Sequence, residues 1–334
     1  MYNQNQFLLD SGFFGWLYKL LTPIEWLMTQ VMVLFHRFVT FLGMPAVGSS
    51  WVLSIIVLVL IVHALILPIY VKQMKAMRKM QALQPQMQKI QNKYKGKKDQ
   101  ASKEAMSREL MKLYQDNNAN PAGSCLPMLI QGPVFMCMFY VLSAIPYIAQ
   151  GKRATLGAFD KATAGQFSDT TFFGVNMTTT FGSADISGKV VIGVFIFLMC
   201  AAMWFMQFNN MRKNLPRESM QGQQYKMQQA MTWAFPIMYI FSGLSFPFAV
   251  LVYWLTNNIC NLLRSIWQVY AFPTPGSPAA EEKEVRDHRL ENARRARKGE
   301  ISLEEEELQK AQELARQKAE QGHQRQQPKR RRRK

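Results

Sequence analysis

The sequence predicts an all-α protein that crosses a membrane several times. Three observations carry that expectation. Long apolar runs recur at the length a bilayer demands, no Asp or Glu falls inside any of them, and the basic residues collect in alternate connections. The runs are Trp51 to Val71, Leu126 to Ile148, Val190 to Phe208, Ala230 to Phe246 and Phe248 to Tyr270. Averaged over 334 residues, 49% apolar content and a net charge of +18 conceal this alternation. The expected organisation is an N-terminal region (1–50), spans at 51–71, 125–148, 190–208, 230–246 and 247–270, a basic hairpin (72–124), an outer loop (149–189), a short loop (209–229) and a basic tail (271–334).

The N-terminal region lacks the pattern of a signal peptide. Its first basic residue is Lys19, Asp10 precedes it, and no small-residue cleavage site follows an apolar run. Within Ile24 to Gly43, the residues Ile24, Leu27, Val31, Leu34, Phe38 and Phe41 recur at helical spacing, opposite Glu25, Thr29, His36 and Thr40. That describes an interfacial amphipathic helix. As a sixth span it would bury Arg37, at about 2.5 to 3.5 kcal/mol near the bilayer centre, so a surface placement is expected.

The first span, WVLSIIVLVLIVHALILPIYV, holds one titratable side chain, His63. An ionisable group inside a span is rare unless it faces protein or water, which makes His63 a candidate functional residue. Arg264 is the sole full charge in the five runs; it lies near one end of the last span, where a long side chain can snorkel to headgroups. Gln131, Asn257 and Asn258 are amides within apolar runs, able either to line a polar groove or to hydrogen-bond between helices, and Gln207, at the end of its run, suits an interfacial cap.

Orientation follows the basic residues. The segment 72–118 has twelve Lys or Arg against four acids, and 209–229 has four against one, so both are expected in the cytoplasm. The connection 149–189 has four against three and the bend at 245–247 has none, so these face outside. Five spans then put the N-terminus outside and the basic tail inside.

The hairpin contains Pro85 and the turn KYKGKKD centred on Gly96, and so reads as two helices folded together. Met74, Met77, Met87, Ile90 and Tyr94 mark one face of the first arm; Met106, Leu110 and Leu113 mark one face of the second. Two readings stand: the faces pack arm to arm, or the adaptable Met side chains meet dissimilar apolar clients. The basic surface suits anionic lipid headgroups. In the tail, Glu282 with Arg286, Glu291 with Arg295 and Glu306 with Lys310 favour a solvated helix. The terminal PKRRRRK is either a solvated end or a binder of lipid headgroups or ribosomal RNA.

No motif points to catalysis, a metal or a cofactor. Cys125, Cys137, Cys200 and Cys260 stand singly, His36, His288 and His323 have no ligand-spaced neighbours, and there is no phosphate loop or nucleophile elbow.

The segment NPAGSCLPMLIQGPVFMCMFY, Asn120 to Tyr140, closely resembles the signature opening the second core span of the YidC/Oxa/Alb family of membrane protein insertases. SWVLSIIVLVLIVHALILPIYVKQ before the hairpin, LQPQMQKIQNKY within it and FPFAVLVYWLTNNICNLLRSIWQ in the last span agree in order and spacing. The resemblance covers roughly Leu20 to Ala271 and matches a layout of five core helices, an outer interfacial helix and a cytoplasmic hairpin.

The resemblance implies a bacterial plasma-membrane insertase and chaperone that is not an enzyme and needs no cofactor. A hydrophilic groove, open to cytoplasm and lipid and closed outside, would receive nascent membrane proteins, alone or beside the Sec translocon. Three groove positions carry over: His63, Gln207 and Trp254. The first is a departure, because the family usually has arginine there. A histidine of ordinary pKa is only about a quarter charged at pH 7, and burial lowers that share, so His63 is either a conditional cation or a neutral hydrogen-bonding group. Ala249 stands where the family usually has glycine, and the outer loop looks long. A secondary transporter or channel is the competing reading. The spans show no repeated halves and no acidic ion-coupling residue, which opposes it.

Overall fold

The computed structural model describes residues 12–97, 99–119, 126–217, 220 and 223–321. Cys125, the first residues of the Asn120 to Tyr140 signature, His323 and the terminal PKRRRRK lie outside them. The chain divides into two compact units, Met1–Ala279 and Ala280–Lys334.

The first unit is a helical bundle. Helix α1 (Gly12–Phe41) leads to α2 (Ser49–Ala82), then α3 (Gln84–Lys93) and α4 (Gln100–Asp116) form the hairpin. Helix α5 (Leu126–Ala149) follows, then α6 (Lys161–Ser168) in the outer loop, and α7 (Ile186–Lys213), α8 (Gln223–Ser245) and α9 (Phe248–Ala271) complete the bundle. Among the described residues, three stretches are long and apolar enough to cross a bilayer: α2, Gln131–Ala149 of α5, and α7. Helices α8 and α9 carry more amides and aromatics, and both pack along α7. Gly243 of α8 lies so near α7 that an added Cβ would meet Ile196 Cγ1 at 2.8 Å.

Helix α2 is longer than its apolar run. Nothing between Lys72 and Ala82 breaks a helix, so α2 continues past Val71 until Pro85, which suits the first turn of α3 and not a helix interior. Met74 and Met77, expected on the first arm of the hairpin, therefore belong to α2. Gly96, at φ +88°, turns the chain, and Asp99 caps α4 by accepting from Ser102 N at 2.8 Å.

Helix α1 is amphipathic as expected, yet its polar stripe faces protein. Glu25, Thr29 and His36 are buried, whereas Leu27, Leu34, Phe38 and Phe41 are exposed. The His36 ring stacks on Trp51 at 3.7 Å, and its Nε2 lies 2.9 Å from the Ala46 carbonyl. Thr29 Oγ1 accepts from Ala158 N at 3.2 Å. In a lipid setting the apolar stripe is the outward one, and the polar groups find partners inside. Arg37 stays exposed.

The outer loop is built rather than slack. Asp160 caps α6, and two short antiparallel strands, β1 (Thr171–Phe172) and β2 (Val175–Asn176), follow it. Phe159, Phe167 and Met177 are fully buried, and Trp51 lies 5.5 Å from both Phe rings. Helix α9 begins after Pro247 with no side-chain cap. The loop supplies the missing acceptors: Phe248 N donates to Thr179 O and Ala249 N to Met177 O, both at 2.8 Å.

The second unit holds α11 (Leu303–Gln321) and nearly all of α10 (Pro278–Lys298). The single solvated helix expected there is instead a pair, broken at Gly299, whose φ is +73°. Asn292 Oδ1 accepts from Leu303 N at 2.9 Å, and Glu306 bridges Lys310 at 2.5 Å and also Arg295. These two cations hold the Glu306 carboxyl down to about 2. The expected Glu291–Arg295 pair is present at 3.8 Å.

Candidate functional site

Helix α9 organises the site. Asn257, Asn261, Arg264 and Gln268 recur every three or four residues, while Ile259, Leu263, Ile266 and Trp267 are exposed on the other side. The polar stripe therefore runs inward along the bundle, and the apolar one outward.

Between α2, α5 and α9 the stripe meets a chain of hydrogen bonds. The Tyr70 hydroxyl donates to Gln131 Oε1 at 2.7 Å, and Gln131 Nε2 donates to Asn257 Oδ1 at 3.1 Å. His63 is half-buried one turn away. Its Nδ1 lies 2.9 Å from the Val59 carbonyl and its Nε2 lies 3.4 Å from Asn261 Oδ1. With Nδ1 donating, a neutral ring leaves Nε2 as an acceptor, which Asn261 serves by turning its NH2 inward; a protonated ring donates to the Asn261 carbonyl instead. The cavity beside His63, walled by Val62, Val134, Met138 and Tyr253, is only about 10 Å³, room for at most one water.

Gln207 is elsewhere. It lines a cavity of about 220 Å³ between the ends of α2, α7, α8 and α9, on the side of the bundle from which the hairpin extends. Five more amides line the same space: Gln81, Asn210, Asn214, Gln228 and Gln268, with Met77, Met211 and Met231 among them. Several amides are fixed in place. Asn210 Nδ2 donates to Ser265 Oγ at 2.9 Å, and Thr274 donates to Gln81 Oε1 at 2.5 Å through its hydroxyl and to Asn214 Oδ1 at 2.9 Å through its backbone N–H. Among the described residues that line the cavity there is no Lys, Arg, Asp or Glu.

Trp254 stands in neither place. It packs among Tyr239, Phe135 and Phe246, with ring centroids 4.4, 5.4 and 5.8 Å away. Asn258 and Trp254 both border the Tyr239 hydroxyl. The residues expected in one groove thus occupy three settings: the His63, Gln131 and Asn257 chain, the amide-lined cavity with Gln207, and an aromatic cluster with Trp254 and Asn258.

Of the hairpin residues, Met74 is buried and Met77 lines the amide cavity. Met87 and Tyr94 sit between the arms: Tyr114 points its hydroxyl at Met87 Sδ at 3.7 Å, and Tyr94 donates to Glu109 Oε1 at 2.8 Å. Lys93 reaches the same carboxylate at 2.5 Å, and together the two donors hold Glu109 below the usual carboxylate range.

Arg264 is half-buried. Its guanidinium lies over the Tyr70 ring, 3.5 Å from the centroid, directed into the bundle. Sequence reasoning missed this, along with Tyr70 and Asn261. The spacing of 257, 261, 264 and 268 was the available signal.

A polytopic α-helical membrane protein with a hydrogen-bonded interior and no acidic residue in α2, α5, α7, α8 or α9 is the class these features define. Residues 42–273 match the model of the family described as 60Kd inner membrane protein. The chain is 68% identical over 333 residues to a protein of Bifidobacterium longum named membrane protein insertase YidC, covering 99% of each chain. It is 35% identical over 288 residues to the protein of the same name from Tropheryma whipplei strain Twist, covering 83% of this chain and 92% of that one. A crystal structure titled as an active YidC insertase with its first transmembrane domain resolved aligns at a TM-score of 0.45 and 20% identity, over 78% of this chain and 47% of the other. The chain belongs to the YidC/Oxa/Alb family.

Proposed function

We propose that this chain is a membrane protein insertase and chaperone of the bacterial membrane, acting on nascent membrane proteins. The observation that supports it best is the unequal polarity of the bundle. A roomy amide-lined cavity lies at the hairpin end, a hydrogen-bonded polar chain lies deeper, and a packed loop covers the outer end. Moving a polar segment into hydrocarbon costs several kcal/mol per unsatisfied group, and a polar recess reaching partway across shortens the dry path. No covalent step is required.

In this reading α2, α5, α7, α8 and α9 are the five spans, the N-terminus lies outside and the tail inside. Gln207 and the neighbouring amides receive polar groups of the client, while Met77, Met211 and Met231 adapt to its apolar ones. His63, Gln131 and Asn257 form the deeper receiving surface, and Trp254 with Asn258 borders its outer limit. Met87 and Tyr94 hold the hairpin in shape, and Met74 packs within α2. The Sec translocon, the ribosome through PKRRRRK and anionic lipids are further partners in this proposal.

Depletion tests it. Loss of the protein should strand newly made small membrane proteins, such as the c subunit of a proton-driven ATP synthase, outside the bilayer, and photo-crosslinkers at positions 207 and 63 should capture them. Normal insertion after depletion, with no other insertase compensating, would overturn the assignment.

A further inference from the structure

The outer loop, which the charge pattern puts in water, makes its hairpin turn with a phenylalanine. Strands β1 and β2 pair Thr171 with Asn176 and Phe172 with Val175, so Phe173 and Gly174 form a two-residue turn, at φ +49° and +76°. Two positive φ values in such a turn favour Asn-Gly, and a bulky aromatic in the first place is strained. Phe173 is nevertheless 68% exposed, so contacts within the protein do little to offset the strain. The root of the hairpin is fixed: Gly48 N donates to Thr170 Oγ1 at 3.1 Å, Met177 N to Thr170 O at 2.9 Å, and Asn176 Nδ2 to Ser168 O at 2.6 Å. A rigid base thus presents an aromatic tip.

Its position says what the tip meets. The Phe173 ring lies 6.4 Å from that of Phe195 in α7, and the Phe172 ring lies 6.3 Å from Phe195 and 6.4 Å from Phe248, the first residue of α9. Phe195 is five residues, or about 7.5 Å, past Val190, where the apolar run of α7 begins. The tip therefore stands beside α7, level with the outer ends of two spans. Next to Phe195, the residues Ile186, Val190, Val194 and Phe197 form an exposed apolar stripe on α7, and no charged residue occurs from Thr170 to Ala184. We infer that the β1–β2 tip is a lipid anchor, with Phe173 seated at the boundary of headgroups and acyl chains in the outer leaflet. Lipid is the occupant because the exposed ring adjoins the stripe by which α7 meets acyl chains. Backbone amides of a turn need water or headgroup oxygens, which sets the tip at the boundary and not deeper. The anchor fastens to the bilayer the same loop whose Thr179 and Met177 carbonyls close the start of α9. The inference rests on α7 being a span, as in the proposed function, and not on client insertion.

The test places para-fluorophenylalanine at position 173 of the full chain in lipid vesicles and compares how three paramagnetic probes relax its fluorine signal: a water-soluble nickel chelate, a lipid nitroxide near the top of the acyl chain, and one near its end. The upper nitroxide should act on position 173 several-fold more strongly than either other probe. At position 197, further along α7, the deep nitroxide should act most. Strongest relaxation of 173 by the chelate, as for a tip in water, or weak relaxation by all three, as for a tip covered by protein, would overturn the inference. If position 197 also escapes both nitroxides, the reading of α7 as a span fails, and the anchor with it. A second measurement uses Phe173→Asn, which suits the turn. In vesicles it should speed hydrogen exchange across residues 171–176 several-fold, because lipid contact is lost, while Phe173→Trp keeps the exchange of the unaltered chain. Unchanged or slower exchange in Phe173→Asn would show that the turn alone governs the hairpin and would overturn the inference as well.

Discussion

The two ends of the bundle are made differently. At the outer end Trp51, Phe159, Phe167 and His36 pack ring on ring, and loop carbonyls close the start of α9. At the hairpin end, amides and methionines surround an open cavity. The first arrangement removes apolar surface from water and leaves no room. The second holds polar groups at a boundary where a newcomer can exchange hydrogen bonds with them. One end is therefore packed closed, and the other, in the function proposed above, is the one that receives the client.

That contrast makes graded predictions. Trp51→Ala should cost about 3 to 5 kcal/mol, read as thermal unfolding in detergent, since it empties a fully buried site; a loss under about 1 kcal/mol would show that the outer end is not the stabilising one. Gly157→Ala comes next, at about 2 to 3 kcal/mol. Gly157 has φ +55°, and a Cβ there would lie 1.9 Å from Thr29 Oγ1, so strain and clash combine. Gln131→Leu should cost about 1 to 2 kcal/mol by leaving the Tyr70 hydroxyl and Asn257 without their partner.

At the receiving end the balance reverses. Gln207→Leu should change unfolding by no more than about 0.5 kcal/mol while clearly reducing client crosslinking from neighbouring Gln228. If it destabilises as much as Trp51→Ala, the division between the ends fails. The smallest effect belongs to the tail. Glu306 is depressed to about 2 when folded, so its ion pairs contribute above the ordinary carboxylate pKa and are lost as pH falls through about 2. Limited proteolysis of the full chain with pepsin should therefore cut around Gly299 faster at pH 2 than at pH 4, and Glu306→Gln should narrow that difference.

Much of this was legible beforehand. Apolar runs marked α2, α5 and α7, Pro85 and Gly96 marked the hairpin breaks, and Glu291 and Glu306 found the partners their spacing implied. The site was legible in its parts. Gln131 and Asn257 do bond across helices, but nothing in their positions said that Gln207 would stand in a separate cavity or that Trp254 would join an aromatic cluster.

The sequence alone determined where the helices are, which of their residues share a stripe, and that the bundle helices carry no acidic residue. Periodicity fixes the angle between side chains on one helix. It does not say which stripe meets lipid, because acyl chains and packed protein are equally apolar, so a polar face can turn to water or to another helix. Only tertiary packing decided that Glu25, Thr29 and His36 of α1 turn inward, that the outer loop caps α9, and that Arg264 lies over the Tyr70 ring.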